Sequence, residues 1–473
     1  QMNLFKDMVC YQEEVRDPSR MAEVLNRVIE KAFRGSAPAQ INVPRDYWTQ
    51  AIDIELPPIV RFEKQGGGKE AIEKAAKLLS DSKFPVILSG AGVVIGDAIE
   101  DCKKLAEKLD APVCSGYQHN DSFPGSHPLA VGPLGYNGSK AAMELISKAD
   151  VVLALGTRLN PFSTLPGYGI DYWPKNATII QVDMNPDRIG LTKKVTVGIC
   201  GDAKMVAKQI LEKLSSKAGD NARDERKNLI HQKKSAWLQT LTSLDHEDDD
   251  PGTVWNKEAR ERDKDRMSPR QAWRAIQAGM PEDVIISSDI GNNCAIGNAY
   301  PTFEKGRKYL APGLFGPCGY GFPSILGAKI GCPKTPVIGF AGDGAFGISM
   351  NEMSSCAREE WPAITMVIFR NYQWGAEKRN SILWFDDNFV GTELDPELSY
   401  AKVANACGLK GVLVRSMEET TKAIKQSCED QKKGITTFIE IILNQELGEP
   451  FRRDAMKKPV EIAGIKKEDM RSQ

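Results

Sequence analysis

Two short runs carry the residue types and spacing best suited to chemistry: Gly342-Asp343-Gly344-Ala345-Phe346 and Arg370-Asn371-Tyr372-Gln373-Trp374-Gly375. The first follows an apolar run, Pro336 to Ala341, that reads as a buried strand. Asn351 to Glu359 reads as a helix, and the second run follows another strand, Ile364 to Phe369. In an open α/β sheet, a side chain at the carboxyl end of a parallel strand faces the crevice where ligands bind. Asp343 and Asn371 are therefore expected to face one crevice. With a backbone carbonyl they would supply hard oxygens for an octahedral Mg2+ that also takes diphosphate oxygens. Gly342 and Gly344 let the backbone approach the diphosphate, and the amides where the helix starts, around Ala345, donate to it. Gly-Asp-Gly alone is ordinary turn chemistry. The strand before it, the helix after it and the Asn ending the next strand turn the reading toward a metal.

Other candidates carry less. Gly90-Ala91-Gly92-Val93-Val94-Ile95-Gly96 approaches a dinucleotide fingerprint, but its third glycine comes one place late. No acidic residue on a following strand fits well, so the run is read as structural rather than as the mark of an NAD-binding oxidoreductase. His119 and His127 lie in a long Gly- and Pro-rich stretch and could border a site; taken singly, each is better read as a core or surface histidine. Glu377-Lys378-Arg379 follows the Asn371 loop. Glu377 and Lys378 are candidate substrate contacts, a cation there meeting an anionic substrate; a solvated charge run is the competing reading. Histidines number only four, few for an enzyme resting on imidazole acid–base work, which suggests that a cofactor carries the chemistry. The ten cysteines are scattered without a C-x-x-C pair. That excludes zinc-ligand spacing, makes a disulfide framework unexpected, and predicts reduced, mostly buried thiols.

The elements that must position these residues follow from periodicity. A chain of 473 residues accommodates about three domains. With 41% hydrophobic and 26% charged residues it reads as an ordinary globular protein, and its net charge of −1 gives no global pull toward nucleic acid or an anionic membrane. Residues 17–34 read as a helix capped by Asp17 or Ser19, with apolar Met21, Val24, Leu25, Val28, Ile29 and Ala32 at helical spacing. Residues 39–44 read as a short strand, so 1–50 resembles the tail of a domain, followed by a linker over 51–68. From 69 to 215, strands at 84–88, 151–156 and 178–183 alternate with helices, among them 97–109. Their continuous apolar character predicts a doubly wound α/β domain with a parallel sheet. The stretch 216–266 turns charged, with Asp248-Asp249-Asp250-Pro251-Gly252 in its middle, and a plain solvated connector is preferred over an exposed helix docked by Trp237, Leu238 and Leu241. A third α/β unit over 267–450 opens at Ser268-Pro269, an N-cap and N1 pair, with strands at 284–288, 336–341, 364–369 and 437–443. The tail over 451–473 is Lys-rich and expected to be ordered only by docking.

The strand–Gly-Asp-Gly–helix–strand–Asn module resembles the signature of thiamine-diphosphate-dependent enzymes of the acetolactate synthase and pyruvate decarboxylase kind. The resemblance implies metal ligation by Asp343, Asn371 and the main-chain carbonyl of Gln373, within a loop that continues through Trp374 and Gly375. One departure stands out: the family shows two consecutive Asn where this chain has Arg370-Asn371. The spacing from Asp343 to Asn371 is also slightly long. The resemblance further makes Ser288-Asp289-Ile290-Gly291-Asn292-Asn293 a diphosphate loop, Gly291 allowing close approach and Asn292 or Asn293 donating to phosphate. Helix capping by either Asn is the rival. In Gly316-Pro317-Cys318-Gly319-Tyr320-Gly321, Cys318 falls where the family places a large apolar wedge that bends the cofactor. Cys is smaller than that wedge, and a buried structural thiol is the alternative.

Longer runs in all three parts of the chain are similar to the sulfoacetaldehyde acetyltransferase family, over about residues 5 to 445. Among them are Tyr11-Gln12-Glu13-Glu14-Val15-Arg16-Asp17-Pro18 and Leu165-Pro166-Gly167-Tyr168-Gly169-Ile170-Asp171-Tyr172-Trp173-Pro174. This resemblance implies conversion of sulfoacetaldehyde and phosphate to acetyl phosphate and sulfite, with thiamine diphosphate and Mg2+, in cytoplasmic sulfonate (taurine) catabolism. It implies a homodimer or homotetramer with sites between subunits, while the near-zero net charge and the lack of a long apolar run predict no nucleic-acid or membrane partner. It places a cofactor-activating Glu in the first domain, upstream of the tail seen at 5–46; Glu13 and Glu14 do not match it. The expectation is an N-terminally truncated chain, inactive or nearly so by itself. An acetolactate synthase-like or 2-oxoacid decarboxylase-like enzyme and a non-catalytic cofactor-binding fragment are the rivals.

Overall fold

Strands rich in Val, Ile and Leu on both faces must be covered on both sides, and parallel sheets flanked by helices are the usual solution. The computed structural model describes residues 1–58, 63–215, 221–246, 263–313, 315–385 and 388–446. The N-terminal part pairs β1 (Tyr11–Glu14) with β2 (Ala39–Asn42) in parallel and packs the helix Met21–Gly35 on them. Asp17 caps the turn before that helix by accepting from the Ser19 N–H at 2.9 Å. Of the predicted apolar stripe only Val24 and Val28 are buried; Leu25 and Ile29 are exposed.

The middle sheet contains β3 (Pro85–Ser89), β4 (Val113–Ser115), β5 (Ala130–Pro133), β6 (Val151–Leu155), β7 (Thr178–Asp183) and β8 (Val197–Cys200). Every pairing is parallel, in the order β5-β4-β3-β6-β7-β8. The winding direction reverses between β3 and β6, which opens a crevice at their carboxyl ends. The helix predicted over 97–109 runs Ile99–Leu109, and Ala91–Ile95 forms a separate short helix before it. Gly92 is obligatory there, because a Cβ would lie 2.6 Å from the Gly156 Cα. This packing accounts for the glycines of the near-fingerprint.

The C-terminal sheet contains β9 (Ile285–Ser288), β10 (Tyr309–Leu310), β11 (Val337–Gly342), β12 (Thr365–Arg370), β13 (Lys410–Val414) and β14 (Thr437–Ile442). It is parallel throughout, in the order β10-β9-β11-β12-β14-β13, with its reversal between β9 and β11. Register pairs Ser288 with Phe340 and Gly342 with Phe369, so the turns after β9, β11 and β12 emerge side by side. Trp273 is fully buried beneath them, its ring 4.7 Å from Phe340 and 5.4 Å from Phe369.

Two expectations are corrected. Between 216 and 266 the described part is no plain connector but a helix, Asn221–His246. It is docked by Ile230, Trp237 and Leu241, while Leu238 stays exposed. Arg226 donates to the carbonyls of Leu109 and Asp110 at 2.7 and 2.9 Å, answering orphan carbonyls where Ile99–Leu109 ends, and to that of Lys83, just before β3, at 2.6 Å. The charge of this helix hid three well-spaced apolar anchors from a composition reading. Second, the helix predicted over 351–359 is broken: Asp343–Gly347 is already helical, and Met350–Glu352 and Met353–Cys356 follow as short turns. The Asp-rich run 248–252 and the tail 451–473 lie outside the described residues.

Candidate functional site

Three turns meet at the carboxyl edge of the C-terminal sheet. After β9, Asp289 is buried and accepts from the Ile290, Gly319 and Gly321 N–H groups at 2.8, 3.2 and 2.7 Å, tying this turn to the one that bears Cys318. Burial pushes its pKa up, against the pull of those donors. Gly291 has φ +107°, a value only glycine takes without strain, and it starts the short helix Asn292–Ile296. After β11, Asp343 is buried; its Oδ1 accepts from the Gly344 N–H at 3.0 Å, and its Oδ2 from the Tyr372 N–H at 2.7 Å and Arg370 Nη1 at 3.1 Å. Burial raises its pKa to about 6, with the Arg370 guanidinium opposing. The bond from Tyr372 fastens the turn after β12 to the turn after β11, so Asp343 and Asn371 border one space.

That space is a cavity of about 400 Å³. All twelve residues singled out for cofactor binding line it: Gly291, Asn292 and Asn293; Cys318; Gly342, Asp343, Gly344 and Ala345; Asn371, Gln373, Trp374 and Gly375. Asn292 is buried, and neither its amide nitrogen nor its oxygen has a protein partner; the Asn293 side-chain oxygen is likewise unpaired. Such groups call for a ligand, because an unmade buried hydrogen bond is costly. Gly344 admits the Trp374 ring, 2.8 Å from where a Cβ would stand. Among the described residues no three His, Cys, Asp or Glu side chains cluster to hold a metal. A cation here would rest on Asp343, the Asn371 amide, the Gln373 carbonyl and ligand oxygens, a hard donor set that suits Mg2+. The residues present fit a diphosphate anchored through a divalent metal.

Three expectations change. Cys318 is exposed, so the buried-thiol alternative for it fails, and five of the ten cysteines are buried rather than most. Glu377 lines the cavity, but Lys378 does not: it is buried and paired with Glu393. Neighbours on the helix Gly375–Trp384 face about 100° apart, which separates the two side chains. Arg379 is buried as well, so this is no solvated charge run. Arg370, in place of the family's first Asn, is fully buried, 3.7 Å from Glu440 as well as bonded to Asp343, with its guanidinium 4.3 Å over the Tyr372 ring.

The sequence reading missed the middle domain's share. Tyr117, Tyr136 and Phe162 line the cavity as a mutually packed aromatic wall, with centroids 5.7 to 5.9 Å apart. Tyr117 and Tyr136 lie in loops and Phe162 in the single 3-10 turn Pro161–Thr164, too short for periodicity to show, so only the docking of the domains brings them here. The acids lining the cavity are Asp289, Asp343 and Glu377. His119 and His127 both lie elsewhere.

The two parallel sheets and this edge-of-sheet site agree with the comparisons. Residues 72–213 match the family described as "Thiamine pyrophosphate enzyme, central domain", and residues 289–441 match "Thiamine pyrophosphate enzyme, C-terminal TPP binding domain". Benzoylformate decarboxylase from Polynucleobacter necessarius shares the fold, with a TM-score of 0.73 at 19% identity over 94% of this chain and 78% of that one. Fold and site thus define a thiamine pyrophosphate enzyme. The "Probable sulfoacetaldehyde acetyltransferase" of Rhizobium meliloti (strain 1021) is 76% identical over all 473 residues, 80% of its own length. The sulfoacetaldehyde acetyltransferase of Roseovarius nubinhibens is 73% identical, again over the whole chain and 78% of its own length. The chain belongs to the sulfoacetaldehyde acetyltransferase family.

Proposed function

We propose that this chain cleaves sulfoacetaldehyde with phosphate to give acetyl phosphate and sulfite, using thiamine diphosphate and Mg2+. The observation that carries the reading is the convergence of the turns at Asp343 and Asn371 on one cavity that also holds the unpartnered Asn292 amide. Bound there, the cofactor supplies a nucleophilic carbon and an electron sink. Asp343, Asn371 and the Gln373 carbonyl hold the cation; Asn292 and Asn293 donate to the diphosphate. Cys318 takes the wedge position, and the Tyr117, Tyr136 and Phe162 wall excludes water from the reacting end. Identities of 73–76% with relatives of that name favour sulfoacetaldehyde over a 2-oxoacid as substrate. The reading includes a homodimer or homotetramer, which fits the exposure of Phe315 on the cavity lining, and a cytoplasmic setting, which fits ten free cysteines. Among the described residues no helix is long and apolar enough to cross a membrane.

Two measurements test it. Calorimetry should show thiamine diphosphate uptake that requires Mg2+. Product analysis should show sulfite and acetyl phosphate appearing together from sulfoacetaldehyde and phosphate, whatever the rate. Acetolactate or an aldehyde formed from a 2-oxoacid in preference to sulfite would overturn the substrate assignment.

A further inference from the structure

The substrates of the proposed reaction are anions, and the charged side chains lining the cofactor cavity among the described residues are Asp289, Asp343 and Glu377, with Arg370 behind Asp343 already paired to it and to Glu440. The divalent cation proposed there is taken up by the diphosphate, and the lining offers a further oxyanion no cationic side chain of its own among the described residues. A second cavity, of about 670 Å³, adjoins the first and shares Tyr117, Gln118 and Gly313 with it. It lies at the carboxyl edge of the middle sheet, where the winding reverses between β3 and β6 and ligands of such sheets gather.

Its lining carries cations as well as acids: Lys64, Arg158 and Arg188 with Asp183 and Asp202. The Arg158 guanidinium is half-buried and makes no hydrogen bond or ion pair among the described residues. Burial lowers its pKa, and Arg188 lowers it further, so the two cations crowd one space; Asp183 at the end of β7 gives partial relief. The other cation there, Lys64, is already committed to Asp202 at 3.0 Å. His119 stays uncharged at neutral pH, since burial and the nearby Arg158 hold it down to about 4. A guanidinium fork with no partner among the described residues, sharing its cavity with a second one whose contact is a 3.5 Å bond to the Ser36 carbonyl, is suited to binding a tetrahedral oxyanion. Packing explains the glycines of the run 90–96: Gly90 and Gly92 lie against Gly156, and Gly96 against the Gly92 carbonyl.

We propose that this second cavity is the oxyanion subsite of the enzyme, in which Arg158 and Arg188 capture the phosphate or sulfonate group of a substrate and hold it beside the cofactor cavity across Tyr117 and Gln118. The proposal deepens the function proposed above and rests on it for the identity of the anion.

The test titrates inorganic phosphate, and separately isethionate, into the chain saturated with thiamine diphosphate and Mg2+. Saturable binding of one anion per chain is expected, weakened tenfold or more in R158Q and in R188Q, with thiamine diphosphate uptake unchanged in both variants. Phosphate as the tighter ligand assigns the subsite to the co-substrate, and isethionate assigns it to the sulfonate; either supports the subsite. Absence of anion binding in the wild-type chain, or equal affinity in wild type and both variants, overturns it. So does ADP binding far tighter than either anion and lost in R158Q, which makes the cavity a nucleotide site. Repeating the anion titration without cofactor separates this proposal from the function: if thiamine diphosphate fails to bind but the arginine-dependent anion site persists, only the functional reading falls.

Discussion

Asp343 receives three hydrogen bonds on its two oxygens, one of them from a buried guanidinium that also faces Glu440. Arg370 neutralises two buried carboxylates, and a buried charge left without its partner costs about 3–5 kcal/mol. Arg370→Met should therefore destabilise the chain by about that much, read as a lower urea midpoint at unchanged slope. Asn292 predicts effects of opposite sign. Removing a buried amide without partners, as in Asn292→Ala, should leave the cofactor-free chain as stable or more stable by about 1 kcal/mol. The same change should weaken thiamine diphosphate binding about tenfold, and calorimetry with thermal melts of both states reads the two together. If Asn292 were a mere helix cap, it would show the usual loss of stability on truncation instead. The candidate cofactor residues around Asp343 and Asn371 were legible in the sequence because they follow apolar strands, whereas Asn292, Asn293 and Cys318 were marked only by the family resemblance. The fate of Lys378 was not, since its pairing with Glu393 depends on a loop brought back from 15 residues further on.

Elements carry the second set of consequences. The helix Asn221–His246 has the composition of a solvated connector, yet it is fastened at two points: Arg226 at the end of Ile99–Leu109, and Trp237 at edge-to-face distance, 5.6 Å, from Tyr168. Hydrogen bonds from a charged donor contribute about 1.5–3 kcal/mol each, and truncating a buried Trp costs about 3–5 kcal/mol. Arg226→Ala and Trp237→Ala are each expected to lower stability by about 3 kcal/mol in denaturant titrations. A helix that was only a linker would show changes within about 0.5 kcal/mol. Gly92→Ala belongs to the same scale. Its Cβ would meet backbone at 2.6 Å, so the short helix Ala91–Ile95 must shift, at a cost of about 1–3 kcal/mol.

For the whole molecule, His119 makes stability depend on pH. Its folded pKa, about 4, lies below the ordinary histidine value near 6.5, so in that window the unfolded chain binds more protons than the folded one. Stability should be full above about pH 6.5 and fall as the pH drops toward 4, by at most about 3 kcal/mol from this group. His119→Gln should flatten that part of the profile in urea titrations at stepped pH. A profile unchanged by the substitution would mean that the imidazole is not held neutral by its surroundings.

The sequence by itself pointed to two parallel α/β domains, though it marked three of the six middle strands and four of the six C-terminal ones, and to the C-terminal domain's part of the candidate cavity. Short continuous apolar runs bounded by turn residues and rich in Val and Ile favour buried strands, and a strand end followed by Gly-Asp-Gly or Asn is a local signal. Tertiary structure alone decided what surrounds them. The aromatic wall from Tyr117, Tyr136 and Phe162, the burial of Arg370 between two carboxylates, the docking of Asn221–His246 and the meeting of Arg158 with Arg188 join residues distant along the chain. No periodicity marks such residues, because what brings them together is the crossing of strands and the docking of domains.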